Sequence, residues 1–326
     1  MTPRRHFLLA ATGALAWPLA AAGQQPGRTY RLGWLSSGAS RSEAYNVAFV
    51  QRLRELGFVD GRNLLIEYRS AGGRVEKLPE LAAELARQQC DIYLAPGPEA
   101  TLTALERATG DAPIVMVAND YDPVATGHVA GLAQPGGRIT GVYQLQDELS
   151  AKRLELLKEL LPRGRKIAVL ADTATKGQLV VVRAAAKKLG LELLVHEFTR
   201  APYDFEAAFV EFARARADGL LPLGSGLFVP ARQKIPELAL KYRLPGMFNT
   251  TLWAEAGGLL SYGVNFSAAY RRAAEQMGLI LNGAKPAAMP VEQSTVFELA
   301  VNLKTAKALG IAIPQPILLR AVRVIE

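Results

Sequence analysis

The sequence predicts an α/β protein of two similar lobes, each built on a parallel sheet. Strand-like apolar runs alternate with amphipathic helical stretches along most of the chain. Several runs are continuously hydrophobic, as expected for strands covered on both faces. A helix, a glycine and a strand follow one another at Leu56-Gly57 before residues 63–68, and again at Leu189-Gly190 before residues 191–196. This repetition indicates two halves of one architecture, with helices on both faces of each sheet.

The individual elements follow from local patterns. The predicted strands are residues 31–35, 64–68, 92–95, 114–117, 167–170, 191–197, 219–223 and 246–248. Apolar residues at helical spacing, such as Phe205, Phe209 and Phe212, mark the buried faces of helices. The spacing of Ser40 and Glu43 is typical of a capping box and predicts the start of the first helix, which Gly57 ends.

The amino terminus has the pattern of an export leader. Arg4 and Arg5 precede an apolar run and the small residues Ala20 to Ala22, which predicts a twin-arginine signal peptide over residues 1–22. A membrane anchor is the alternative, but the run is short for a bilayer span and is interrupted by Gly13 and Pro18. We therefore expect cleavage, export through the twin-arginine machinery, and a soluble periplasmic protein.

Composition excludes several classes of function. The 326 residues correspond to about two domains, and the formal net charge is +8. Basic residues are interspersed with acidic ones, without the basic and aromatic track of a nucleic-acid-binding protein. Cys90 is the only cysteine, so an intramolecular disulfide and a thiolate metal cluster are excluded. We expect Cys90 to be a buried structural thiol.

Catalytic motifs are absent from the sequence. No phosphate-binding loop and no dinucleotide-binding glycine motif follows the first strand, which ends in Ser36-Ser37-Gly38. Gly224-Ser225-Gly226 lacks the spacing of a nucleophile elbow and is interpreted as a turn. His128 and His196 lack metal-ligand spacing. We expect no cofactor, no metal and no catalytic residue, although the sequence leaves a pair of glycosidase carboxylates open.

Six segments, in matching order along the mature chain, carry a resemblance to a known family. They are residues 52–63, 122–124, 135–142, 151–162, 255–263 and 297–310. Together they resemble the ABC-transporter substrate-binding proteins of the group that includes tryptophan- and tyrosine-binding members. The resemblance implies the type I periplasmic binding fold, with two Rossmann-like lobes and three crossovers between them. It also implies the membrane subunits of an ABC permease as partners, and we expect a monomer.

The resemblance also implies lobe boundaries. The crossovers are expected near Tyr143, near Gly258 and around residues 286–290. Lobe one then holds residues 28–143 and 259–288, and lobe two holds residues 144–258 and 289–326. The helix over residues 266–281 is expected to return and cover the first sheet.

By family position, ligand contacts are expected in the loops at strand ends that face the cleft. In lobe one they are Ser36, Ser37, Pro96, Gly97, Asn119, Asp120 and Tyr121; in lobe two they are Asp172, Thr173, Ser225, Phe248, Asn249 and Tyr262. The serines suit a carboxylate, the aspartates an ammonium group, and the aromatic rings an apolar contact.

Structural roles are the alternatives at several of these positions. Ser36 and Ser37 also suit a turn, Asp172 and Thr173 also suit a helix cap, and Tyr262 also suits a core. Trp34 and Trp253 are expected to be packing residues rather than parts of a ligand cage.

The chain departs from the family at one position. Members often carry an aspartate where this sequence has Ser225, so the anchor for a ligand amino group is in question. The sequence thus favours a periplasmic solute-binding protein of an ABC importer, with an amino-acid-like or carboxylate-bearing ligand. A sensor subunit for a membrane kinase or chemoreceptor is the alternative, and an exported hydrolase dependent on Asp120 or Asp172 is less favoured.

Overall fold

A computed structural model describes residues 28–38, 40–200 and 202–326. The predicted signal peptide over residues 1–22 lies outside the described residues. Within the described ranges, no helix combines the length and apolarity needed to cross a membrane.

The elements alternate along the chain as predicted. The strands are β1 (Tyr30–Ser36), β2 (Leu64–Ser70), β3 (Ile92–Gly97), β4 (Ile114–Asn119), β5 (Ile139–Gln144), β6 (Lys166–Asp172), β7 (Glu192–Phe198), β8 (Gly219–Pro222), β9 (Met247–Phe248), β10 (Leu260–Val264), β11 (Glu292–Gln293), β12 (Phe297–Asn302) and β13 (Arg323–Ile325). The helices are α1 (Ala44–Glu55), α2 (Leu78–Arg87), α3 (Glu99–Ala108), α4 (Gln146–Leu160), α5 (Lys176–Leu189), α6 (Phe205–Arg214), α7 (Lys234–Lys241), α8 (Thr251–Glu255), α9 (Phe266–Leu281), α10 (Leu303–Leu309) and α11 (Gln315–Arg320).

Lobe one is built on a six-stranded parallel sheet in the order β11-β5-β4-β3-β1-β2. Helices α1 and α9 cover one face, where Phe49 and Met277 join a core with Trp34. Helices α2 and α3 cover the other face, where Leu85 and Leu102 join a second core. The sheet is therefore buried on both sides, which explains its continuous apolar strands.

Lobe two contains two shorter sheets, in the orders β7-β6-β8 and β13-β12-β10-β9. A parallel bridge between Leu220 and Gly246 places β8 beside the β9 segment. Pairing is parallel except between β10 and β12. Leu157 of α4 and Val182 of α5 lie in one core, and Phe209 of α6 lies in the other. The two-lobed α/β architecture predicted from the alternation is confirmed.

Strand pairing shifts two of the expected boundaries. Residues 260–264 were expected in lobe one, but they form β10, which pairs with β9 and β12. Residues 292–293 were expected in lobe two, but they form β11, which pairs with β5. The crossovers therefore follow β5, β10 and β11. The helix expected over residues 266–281 is α9, and it packs on α1 in lobe one.

The predicted capping box is wrong. Helix α1 begins at Ala44, and no side-chain hydrogen bond caps it. The Ser40 hydroxyl instead accepts from the Ser42 backbone N–H and pairs with the Ser42 hydroxyl, while the Glu43 carboxylate pairs with Arg232 of lobe two. Cys90 is buried as expected, and burial raises the pKa of its thiol to about 11.

Candidate functional site

The loops that follow the strands of one lobe contact those of the other. Asp120 directly follows β4, and its Oδ2 accepts a hydrogen bond from Nε2 of Gln178, in the first turn of α5, at 3.1 Å. Glu43 lies between β1 and α1, and its carboxylate is 3.3 Å from the guanidinium of Arg232. The carboxyl ends of the strands of lobe one therefore face those of the β7-β6-β8 sheet, as at the ligand sites of open parallel sheets.

The loops after β1 and β3 approach each other closely in lobe one. Ser36 is buried, and its carbonyl accepts from Ala71 N. Gly97 has a φ of +104°, and a Cβ there would lie 3.1 Å from the Ser37 hydroxyl oxygen. Pro96 before it is buried. A side chain at position 97 would thus be strained and would press on Ser37, which explains the glycine.

The three residues after the body of β4 have different surroundings. Asn119 accepts a hydrogen bond from Gln144 Nε2 through Oδ1 at 2.8 Å. Asp120 is half-buried between the lobes. Tyr121 lies in the core of lobe one, with its ring edge-on to His128 and its hydroxyl 3.9 Å from the sulfur of Met116. The structure therefore places Tyr121 in packing contacts.

The strand ends of lobe two hold a buried polar pair. The Ser225 hydroxyl donates to Oδ2 of Asp172, and Oδ1 of Asp172 accepts from Ala174 N at 3.0 Å. Ser225 Oγ also accepts from Leu227 N at 3.0 Å. Asp172 is 1% exposed and Ser225 is 6% exposed, whereas Thr173 is exposed. Asp172 and Ser225 thus satisfy each other within their own lobe.

The remaining predicted residues of lobe two are divided between core and junction. Phe248 is buried and stacks on Trp253, with ring centroids 5.4 Å apart. In lobe one, Trp34 is likewise a packing residue, and its ring lies edge-on to that of Phe49. Asn249 is half-buried, and its side-chain nitrogen lies 2.9 Å from the Cβ position of Gly224. The half-buried ring of Tyr262 packs near that of Phe297.

Sequence reasoning missed a set of polar side chains where α4 begins. Gln146, Ser150 and Arg153 are buried, and they share one face of α4 with Leu157. Buried Gln178 on α5 joins them through the Ser150 hydroxyl at 2.9 Å. The helical spacing of these polar residues with the leucines was the available signal. It passed unnoticed because polar side chains are mostly exposed.

Arg153 is the most deeply placed charge of this network. It is 0% exposed. Nε donates to the Tyr262 carbonyl at 2.7 Å, Nη2 to Gln146 Oε1 at 2.6 Å and Nη1 to Ser150 Oγ at 3.2 Å. Burial lowers the pKa of Arg153 to about 9, and the charge of Asp120 opposes this shift. Arg153 thereby joins α4 to β10, and each of these elements of lobe two borders a crossover.

Asp120 combines backbone strain with desolvation. Its φ of +66° is uncommon for a residue other than glycine. Oδ1 accepts from Gln146 N at 3.0 Å, and burial raises the pKa of the Asp120 carboxyl. Both oxygens therefore already have donors from the second lobe.

Among the described residues, no group of three or more His, Cys, Asp or Glu side chains could hold a metal ion. His128 instead bonds with Glu106 and Glu99, and His196 bonds with Glu211.

Comparison with known proteins agrees with this two-lobed arrangement. The family described as "ABC transporter substrate binding protein" matches residues 36–325, and the chain belongs to this family. A tyrosine-binding protein of Clostridioides difficile (strain R20291) is 28% identical over 266 residues, which are 80% of this chain and 75% of that protein.

Two solved structures share the fold. A conserved domain protein from Vibrio cholerae O1 biovar El Tor str. N16961 superposes with a TM-score of 0.80 at 24% identity, over 91% of this chain and 100% of that one. An ABC domain from Streptococcus pneumonia in complex with L-Trp gives a TM-score of 0.74 at 22% identity, over 90% and 100% of the two chains. The type I periplasmic binding fold implied by the family resemblance is confirmed.

Proposed function

We propose that this chain is the periplasmic solute-binding protein of an ABC importer, and that its two lobes close on a small carboxylate-bearing ligand. The observation that carries the proposal is the pair of contacts from Asp120 to Gln178 and from Glu43 to Arg232, which join the strand-end loops of opposite lobes. A ligand held there touches both lobes and stabilises the closed form, which the permease then distinguishes from the open one.

Lobe one offers groups that suit a carboxylate. The Thr101 hydroxyl in the first turn of α3 is buried and has no hydrogen-bond partner among the described residues. The Thr101 hydroxyl oxygen lies 3.9 Å from the position that a Cβ would take at Gly97. The Ser37 hydroxyl oxygen lies 3.1 Å from the same position. The amino end of α3 favours an anion. Glu99 of the same turn is hydrogen-bonded to His128.

Lobe two determines what else the ligand carries. Asp172 already accepts hydrogen bonds from Ser225 and from the Ala174 backbone. Asp120, which belongs to lobe one, accepts hydrogen bonds from Gln146 and Gln178 of lobe two. Each oxygen of the two carboxylates already accepts a hydrogen bond from the protein, so a strong anchor for a ligand ammonium group is not supported. We therefore propose that the carboxylate contributes more to affinity than an amino group does.

The relatives supply the first probes. One relative is named a tyrosine-binding protein, and one neighbour of the same fold was solved with L-Trp. We propose testing L-tyrosine, L-tryptophan and 3-(4-hydroxyphenyl)propanoate, which is tyrosine without its amino group. Isothermal titration should show that the deaminated acid retains affinity within about tenfold of L-tyrosine, whereas tyramine, which lacks the carboxylate, does not bind.

The same proposal is tested without choosing a probe. Native mass spectrometry of gently purified mature protein should reveal a retained small acid, and small-angle scattering should show a smaller radius of gyration with ligand than without. A tightly bound ligand that leaves the scattering curve unchanged would contradict lobe closure. Turnover of the ligand by the wild-type protein would contradict a purely binding function.

Export and assembly belong to the proposal as well. We propose that residues 1–22 direct twin-arginine export, that the mature monomer works in the periplasm, and that permease membrane subunits receive the closed form. Replacing Arg4 and Arg5 by lysines should leave the precursor in the cytoplasmic fraction. Normal periplasmic recovery of that variant would contradict the assigned export route.

A further inference from the structure

We propose that Asp120 is a positioning residue that holds the two lobes together through Gln178, and that it is not a contact for the ligand. The inference deepens the proposed function, because it rests on lobes that open and close. It assigns the closing contact to the protein's own side chains, at the junction beside the first crossover.

The carboxylate of Asp120 is enclosed by donors from lobe two. Asp120 follows the last strand residue of β4, in lobe one. Its Oδ1 accepts from the backbone N–H of Gln146, the first residue of α4, at 3.0 Å, and its Oδ2 accepts from Nε2 of Gln178 on α5 at 3.1 Å. One bond lies at the crossover itself, and the other reaches a separate helix of lobe two. Only the second must break when α5 moves away from β4.

The Gln178 amide is held in one orientation. Its Oε1 accepts from Gly224 N at 2.8 Å and from Ser150 Oγ at 2.9 Å, and its Nε2 donates to the Gly224 carbonyl at 2.9 Å. Reversing the amide would set its NH2 group against the Gly224 N–H and its oxygen against the Gly224 carbonyl. Gln178 therefore presents a donor to position 120, and position 120 must supply an acceptor.

Electrostatics also link Asp120 to this junction. Buried Arg153 forms no ion pair with a carboxylate of the described residues, and the charge of the Asp120 carboxylate acts on it from beyond contact distance. The attraction is mutual, because Arg153 lowers the pKa of Asp120 while burial and the charge of Asp147 raise it. Arg153 thus favours a charged Asp120 where the hydrogen bonds need one.

An asparagine at position 120 separates this role from a general structural one. Asparagine keeps the size of aspartate and tolerates a φ of +66°. Both partners of Asp120 are donors, however, so an amide in either orientation turns its NH2 group toward one of them. Asp120→Asn should therefore weaken the link between the lobes while leaving each lobe folded.

The test measures the distance between the lobes in the ligand-free protein. Spin labels are attached to cysteines introduced as Val75→Cys in lobe one and Leu227→Cys in lobe two, which are 51% and 54% exposed. Cys90 stays unlabelled because it is buried. Pulsed electron spin resonance should show that Asp120→Asn changes the ratio of short to long distances by about tenfold toward long ones, the size expected for a lost charged hydrogen bond.

Two further variants keep the result interpretable. Asp122→Asn is the matched control, because the Asp122 carboxylate accepts from Val124 N and Ala125 N in its own loop. The lobe distances of this variant should equal those of the wild type. Gln178→Met removes the donor from the other side and should lengthen the distances as Asp120→Asn does. Its thermal midpoint should be lower than that of Asp120→Asn, because the bonds of Gln178 to Gly224 and Ser150 are lost as well.

The inference would be overturned if Asp120→Asn and Gln178→Met both showed the lobe distances of the wild type. It would also be overturned if the ligand-free wild type were already as open as the two variants. No ligand is present in this experiment, so a failed search for ligands leaves its result intact. Conversely, ligand-induced closure of the wild type combined with unchanged distances in the variants would contradict this inference alone.

Discussion

Asp120 and Asp172 both lie at strand ends, one in each lobe, and are used differently. Each stands where a buried strand of a parallel sheet ends, and each accepts two hydrogen bonds. The donors to Asp172 come from its own lobe, whereas those to Asp120 come from the other lobe. Asp172 therefore stabilises a loop, and Asp120 depends on how the lobes are arranged. The origin of the donors, and not the residue type, separates the two roles.

The largest expected effect is a loss of stability when Arg153, whose charge acts on Asp120, is replaced. Arg153→Ala leaves a cavity and removes the donors to the Tyr262 carbonyl and to Gln146 Oε1. We expect the free energy of unfolding to fall by about 3–5 kcal/mol in urea titrations, given buried acceptors without partners. The control is Lys152→Ala at the exposed neighbouring position, expected within ~0.5 kcal/mol of the wild type. Equal losses in the two variants would contradict the role given to Arg153.

The equivalent change at Asp172 should be intermediate in size. Ser225→Ala removes the hydroxyl donor to Asp172 and the acceptor of the Leu227 N–H. We expect a loss of about 1–3 kcal/mol in the free energy of unfolding, the cost of leaving buried polar groups unpaired. The distance between the lobes should not change, because both partners belong to lobe two. A shift toward long distances in this variant would remove the contrast between the two aspartates.

The smallest expected effect is the contribution of Asp120 to the pH dependence of the free energy of unfolding. Burial raises the pKa of its carboxyl in the folded protein, so protonation favours the folded state and the charged form carries a stability cost at neutral pH. The charged groups that act on it are Asp147, which raises the pKa, and Arg153, which lowers it; the hydrogen bonds from Gln146 and Gln178 lower it too. The stability of the wild type relative to Asp120→Asn should therefore rise as the pH falls from 7 toward about 4, by ~1.4 kcal/mol for each unit of pKa shift.

Chemical denaturation of both proteins at a series of pH values measures this difference. Glu298, whose pKa is also raised by burial, contributes equally to both proteins and cancels in the comparison. A difference that stays constant, or that grows as the pH rises, would show that the carboxyl of Asp120 is not desolvated.

Much of the fold was predictable from local patterns. The strands predicted at residues 31–35, 64–68 and 92–95 lie within β1, β2 and β3, and α9 has its predicted bounds. Hydrophobic runs and helical spacing report burial directly, so they located these elements. The lobe boundaries were less predictable, because β10 pairs with β12, more than thirty residues further along the chain.

The candidate site was only partly predictable. Ser37, Asp120 and Ser225 follow strands, and Gly97 and Asp172 are the last residues of β3 and β6. Their contact with a ligand stays a prediction. The rings of Tyr121 and Phe248 lie in cores, because an aromatic residue beside a strand end can point to either side. The polar network of Arg153 was missed, since an arginine among leucines is compatible with an exposed helix face.

The sequence by itself determined the alternation of strands and helices, the buried faces and the two-lobed architecture, because each depends on the spacing of apolar residues within a short stretch. Only the tertiary structure decided which polar groups pair. Arg153 meets the carbonyl of a residue 109 positions away, and Asp120 meets an amide 58 positions away. Such partners are set by how distant segments pack, and no local pattern records them.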